Sequence, residues 1–245
     1  MQTPRAEYIP WMSNAPTLPS TPFNAAHAEV YDRQFERIQA IKDALHLLLA
    51  VQLRRLPEEA RILVAGAGTG AETRHLASLH PGWRFTLADP SEAMLAVARR
   101  HIEREGFATR CTLHAGFVGT LPLEPHDAAT SLLVSQFLTD ASARQAFFED
   151  IAARVRPGGI LFVADLAADR ASATFEGELS LWIDLLAFAR DASPEASASY
   201  RAAFGRDFAV HSPAEVQAMI ERAGFSAPTP CYQAGLIRGW VTTRR

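Results

Sequence analysis

The sequence predicts an α/β fold built on a doubly wound, mostly parallel sheet. Short apolar runs alternate with amphipathic helical stretches, and the first run empties directly into a glycine-rich turn. The C-terminal end adds a qualification, because its last two strand-like segments lie too close together to be parallel neighbours.

Each element follows from a local pattern. From Ala25 to Leu56, Ile38, Ile41, Leu45, Leu48 and Leu49 recur at helical spacing, until Pro57 stops the region. Ile62-Leu63-Val64-Ala65 is uninterruptedly apolar, as a central strand covered on both faces should be. Trp83 to Ala88 reads as a second strand, Arg110 to His114 as a third and Asp127 to Val134 as a fourth. Ser91 caps a helix whose Met94, Val97, Ala98 and Ile102 share a face. Ser142 and Gln145 predict a capping box for a helix that buries Phe148, Ile151, Ala152 and Val155. Pro157-Gly158-Gly159 ends it, and Ile160 to Ala164 forms a fifth strand. Ser212, Pro213 and Glu215 open the last helix, with Val216, Met219, Ile220 and Ala223 as its stripe and Gly224 as its stop. Ala227–Gln233 and Leu236–Thr243 then make a terminal hairpin.

Composition narrows the functions. The 245 residues suffice for one sizeable core. A net charge of −3, with scattered arginines and Lys42 as the sole lysine, provides no electrostatic grip on nucleic acid or an anionic membrane. Cys111 and Cys231 have no metal-ligand spacing and are too few for a disulfide framework. No metal is expected. The sequence shows neither a secretory leader nor an apolar run of membrane-spanning length, so a cytoplasmic location is the expectation. Residues 1–22, with Pro4, Pro10, Pro16, Pro19 and Pro22, read as an extended flexible arm. Residues 23–245 read as one domain, in which 23–56 supply N-terminal helices and 170–210, with Leu179, Trp182, Ile183 and Leu186, a substrate-covering insertion or an ordinary connection.

The chemistry sits after the first strand. Gly66-Ala67-Gly68-Thr69-Gly70 turns tightly into a helix that holds Glu72 and Leu76, and such a loop brings main-chain groups against a ligand. Asp89 ends the second strand about 20 residues on, where an acid can accept both hydroxyls of a ribose. A dinucleotide and S-adenosylmethionine share that requirement, so these residues predict a nucleoside without naming it.

Taken together, these motifs resemble class I S-adenosylmethionine-dependent methyltransferases of the small-molecule branch. Ile62 to Gly70 is similar to the family's first motif and Asp89-Pro90-Ser91-Glu92-Ala93-Met94-Leu95 to the second. His114-Ala115-Gly116-Phe117-Val118 resembles the third and Asp127 to Val134 the fourth, with Arg156-Pro157-Gly158-Gly159 as the turn before the fifth strand. Tyr232-Gln233 and Gly239-Trp240-Val241 look like the family's tail. The resemblance implies a Rossmann-like seven-stranded sheet whose last strand is antiparallel, with S-adenosyl-L-methionine as cofactor. It puts Gly66, Ala67 and Gly68 on the methionine and ribose parts and Asp89 on the ribose, with the main-chain amides of Gly66 to Gly70 receiving the amino-acid portion. It further implies Pro90, Met94, Gly116 and Phe117 around the adenine, Tyr31 over the methionine end, and Ser135 and Gln136 bordering the sulfonium and methyl acceptor. The family usually has an acidic residue two positions before the first glycine, helping to hold the cofactor's amino group; this chain has Val64.

Rival readings fare less well. Short-chain dehydrogenases need Tyr-x-x-x-Lys and Walker A nucleotide enzymes need lysine after their glycines, and Lys42 fits neither. A non-catalytic module that binds S-adenosylmethionine or its product is the other alternative, favoured by Val64. No general base can be assigned. Gln136, His114 and His211 are weak candidates, and Tyr232, Trp182 and Trp240 line either a pocket or the core. The expected partner is a small-molecule methyl acceptor, with the protein a monomer or a homodimer.

Overall fold

The computed structural model describes residues 28, 31–190, 192–204 and 208–245. The proposed arm at 1–22 lies outside them. A 3-10 turn at Asp32–Ile38 leads into α1 (Gln39–Leu53), then β1 (Arg61–Ala65), α2 (Ala71–Leu79), β2 (Arg84–Asp89), α3 (Glu92–Arg104), β3 (Cys111–Ala115) and β4 (His126–Leu132). α4 (Ala141–Ala152), β5 (Val155–Leu166), α5 (Phe175–Arg190), α6 (Pro194–Ala203), α7 (Pro213–Arg222), β6 (Thr229–Ala234) and β7 (Ile237–Thr243) complete the order.

The seven strands form one sheet in the order β3-β2-β1-β4-β5-β7-β6. Neighbours from β3 to β5 are parallel, and β7 runs antiparallel to both β5 and β6. The predicted fold therefore stands. Successive strand residues serve opposite faces. Ile62 and Val64 enter a cluster with Leu45, Leu49, Leu76, Leu95 and Ile102 from α1, α2 and α3. Leu63 and Ala65 enter a second one with Phe148, Ile151, Val216 and Ile220 from α4 and α7. Strand order reverses between β1 and β4, the place where open α/β sheets gather ligands.

Several boundaries differ from the sequence reading, each for a local reason. β4 stops at Leu132 rather than Val134 because Leu133 has a φ of 59°, a left-handed backbone that breaks the ladder. α4 is capped by Asp140, whose carboxylate accepts from the Ala143 N–H, so no box forms on Ser142 and Gln145. Val155 belongs to β5, where it pairs with His126 before a register shift, and Pro157-Gly158-Gly159 lies within that strand. The Ser91 cap and the Ser212–Glu215 capping box form as read. Among the described residues, 170–210 hold two helices, α5 and α6. Trp182 and Trp240 are buried in the core, and the Tyr232 hydroxyl donates to the Ile41 carbonyl at 2.7 Å.

The outer strand β6 holds Pro230, opposite Trp240, and its register shifts between Pro230 and Tyr232.

A histidine pair joins α1 to α2: buried His46 stacks on half-buried His75 at 5.3 Å. Burial, then the like charges of His75 and Lys42, lower the His46 pKa to about 4. Because the folded value lies below the ordinary 6.5, this neutral ring contributes stability above about pH 6.5, which is lost as pH falls through about 4. His46→Leu is expected to flatten the fall in melting temperature across that window, measured against wild type by thermal denaturation.

Candidate functional site

The glycine loop owes its shape to left-handed glycines, of which Gly66 is crowded and Gly68 is not. Gly66 has a φ of 78°, and a Cβ there would meet the Val134 methyl carbons at 2.4 and 2.5 Å. Val134 is held in that place by the left-handed turn at Leu133, a conformation that costs of order 1–3 kcal/mol in a residue with a side chain. Gly68, at φ 54°, has only the Met94 methyl carbon near a would-be Cβ, at 3.5 Å. Backbone strain at one end thus seats the loop, and a bare backbone faces Met94 at the other.

Asp89 locks this loop from the next strand. Its two carboxylate oxygens accept the Gly68 N–H at 2.9 Å and the Ser91 N–H at 2.8 Å. The side chain is 8% exposed, and burial raises its pKa although both backbone bonds oppose the shift. A carboxylate has about four lone-pair sites, so two acceptor directions remain.

The loop amides behave differently from the sequence reading. Gly66 and Ala67 both donate to the Ala88 carbonyl, at 2.8 and 3.1 Å, and Gly70 donates to Ala67 at 2.9 Å. With Gly68 on Asp89, four of these N–H groups are already paired inside the protein. The turn folds back on the end of β2, and that contact takes up the Gly66, Ala67 and Gly68 donors.

Around the loop the structure gathers most of the predicted residues. Tyr31 packs with Ala28, Met94 and Val97, above the start of α3. Pro90 follows Asp89 directly and is exposed. The Gly116 N–H donates to the Asp89 carbonyl at 3.0 Å, tying the turn after β3 to the same edge, and Phe117 is 54% exposed. Asp32, which the sequence reading passed over, accepts from the Thr69 hydroxyl at 2.8 Å.

Ser135 and Gln136 are turned inward. The Ser135 hydroxyl donates to Asp165 and accepts from Arg144 Nε at 2.8 Å. Arg144 and Asp165 form an ion pair at 3.2 Å, both 0% exposed, and the Gln136 N–H also donates to Asp165. Burial raises the Asp165 pKa against the opposing pull of Arg144 and these donors. The Gln136 side chain donates to the Leu133 carbonyl at 3.0 Å and accepts from the Leu166 N–H at 3.4 Å, which makes it a structural amide.

Neither histidine has a base's geometry at this edge. Arg144 Nη1 lies 2.7 Å from His211 Nδ1. A guanidinium keeps its protons, so Nδ1 accepts, Nε2 carries the ring proton, and no lone pair is left to take another. Burial, then Arg144, also lowers the His211 pKa. For His114, Thr120 donates to the Phe117 carbonyl at 2.7 Å, so His114 Nε2 donates to Thr120 at 2.7 Å. His114 stands on β3, three strand positions from β4, roughly 14 Å at ordinary strand spacing.

Comparison with known proteins finds likenesses to methyltransferases. A methyltransferase domain model matches residues 62–159, the stretch from β1 into β5. That stretch is similar to a methyltransferase domain. Over 111 residues, 44% of this chain, the matched stretch and its surroundings are 36% identical to the ubiquinone biosynthesis O-methyltransferase of Methylocella silvestris, covering 41% of that protein. Over 144 residues, 58% of the chain, they are 31% identical to the demethylmenaquinone methyltransferase of Tropheryma whipplei, covering 57% of it. The chain thus spans about half the length of these curated relatives. The crystal structure of a putative O-methyltransferase from Nostoc punctiforme superposes with a TM-score of 0.64 at 17% identity, over 90% of this chain and 59% of that one, a likeness of fold. Among the described residues no cluster of three metal-binding side chains occurs, and no helix is long and apolar enough to cross a membrane.

Removing one member of the buried pair leaves the other charge without compensation. Arg144→Met is expected to cost about 3–5 kcal/mol of unfolding free energy, read from urea denaturation.

Proposed function

We propose that this protein is an S-adenosyl-L-methionine-dependent methyltransferase acting on a small molecule. The observation that carries the reading is Asp89, which closes the glycine loop and keeps acceptor directions free where a ribose would lie. The residues present fit the cofactor. Gly68 leaves a bare backbone beneath Met94, Phe117 offers an exposed ring face at the adenine end, and Tyr31 lies over the start of α3.

When bound, the cofactor supplies a methyl group already activated by its positive sulfur. The protein's work is alignment and exclusion of water. Asp89 orients the ribose, Gly66, Ala67 and Gly68 lie along the ribose and methionine parts, and Pro90, Met94, Gly116 and Phe117 hold the adenine. Ser135 acts at one remove: bonded to Asp165 and Arg144, it fixes the turn after β4 rather than touching ligand. This reading assigns no side chain as a general base.

The small-molecule class is supported by the relatives' names and by the scattered charge. The domain organisation proposed from sequence fits the same reading, with α5 and α6 as the segment near the acceptor. A second reading, a module that binds the cofactor without turnover, rests on Val64 alone.

Two experiments test this. Purified protein, methyl-deuterated S-adenosylmethionine and a small-molecule extract are expected to yield a labelled metabolite; binding without label transfer favours the module, and tight, salt-sensitive binding of RNA overturns the acceptor class. Asp89→Ala is expected to weaken S-adenosylhomocysteine binding more than about tenfold, since such a bond pair contributes of order 1–3 kcal/mol. Unchanged affinity in calorimetry removes Asp89 from the site.

A further inference from the structure

Glu72 stands in the first turn of α2, immediately beyond the loop, yet its side chain is only 7% exposed. An acid in a first turn ordinarily faces solvent and gains a little from the helix dipole. This one points back under the helix, where its hydrogen-bond partner among the described residues is the Thr130 hydroxyl. A buried carboxylate with a single neutral donor is poorly compensated.

Its location gives the burial a purpose. Thr130 sits on β4 directly opposite Val64 of β1, at the point where strand order reverses. Glu72 therefore carries a carboxylate to the β1–β4 seam from the helix side, beside the position where a valine occupies the strand. Gly66, Ala67, Gly68 and Gly70 have their amides paired elsewhere, so none of these four donates to it. What this seam offers a ligand is a buried carboxylate that no cation contacts among the described residues, a setting for a positive group.

We propose that Glu72 receives the ammonium group of the S-adenosyl ligand's amino-acid tail, supplying from α2 the acidic contact that Val64 cannot make. This rests on the methyltransferase reading above. The charged and titratable neighbours are consistent with it. Lys42 of α1 lies near enough to favour the ionised form but makes neither an ion pair nor a hydrogen bond with Glu72 among the described residues. Asp32, in the 3-10 turn before α1, is engaged by Thr69. Burial pushes the free carboxyl up to about 7, as expected where the compensating charge arrives with a ligand.

The test is calorimetry at pH 8 on wild type and Glu72→Gln with two probes. S-adenosylhomocysteine has the amino-acid tail, and 5′-methylthioadenosine lacks it. Glu72→Gln is expected to bind S-adenosylhomocysteine at least about tenfold more weakly and 5′-methylthioadenosine as wild type does. Equal affinity of both proteins for S-adenosylhomocysteine overturns the proposal, as does an equal loss for both probes, which marks a structural role. If Glu72→Gln does not fold, Glu72→Asp replaces it, with a smaller loss confined to the tailed probe. Wild type binding neither probe is a separate result, and it overturns the methyltransferase reading itself.

Discussion

The carboxylate of Asp89 is the constraint on which the site depends. One oxygen fixes the loop after β1, and the other fixes the start of α3. Two elements that meet only at the end of the sheet are thereby held in one register. The turn after β3 joins them through the Asp89 main chain. Because the group doing this is itself almost dry, its bonds act in a medium of low effective dielectric, where they are stiff and hard to exchange for water. The geometry facing a ligand thus exists before any ligand arrives.

Opposite Asp89, the β4 side is built from strain and buried charge. Leu133 adopts a left-handed backbone, which presses Val134 onto Gly66 and turns Ser135 and Gln136 inward. The Arg144–Asp165 pair receives those two residues and extends to His211. Together these features convert the end of β4 from a continuing strand into a rigid corner. That corner and the Glu72–Thr130 contact both lie along the seam where β1 pairs with β4.

Much of this was legible in the sequence. The run from Ile62 to Ala65, the loop after it and Asp89 define the parallel core, because apolar continuity and glycine placement are local signals. The terminal hairpin was legible from its short connection. Other features were not. Leu133 looks like one more strand residue, since a positive φ in leucine leaves no mark in composition. Glu72 reads as an ordinary first-turn acid, and only the fold shows that it turns under its own helix toward Thr130. The loop amides looked available because glycine content reports freedom to turn and not which carbonyl the turn will meet. Gln136 and His211 drew attention by residue type, while their partners Leu166 and Arg144 lie 30 and 67 residues away in the chain.

The outer margin of β6 has a consequence for how the molecule meets its own kind. Pro230 has no backbone donor to offer, and the register shift beside it breaks the regular ladder. A foreign strand laid along that border finds an interrupted ladder. Sheet-to-sheet extension, the usual seed of fibrous aggregates, is disfavoured on this side, so any assembly there has to be made by side chains.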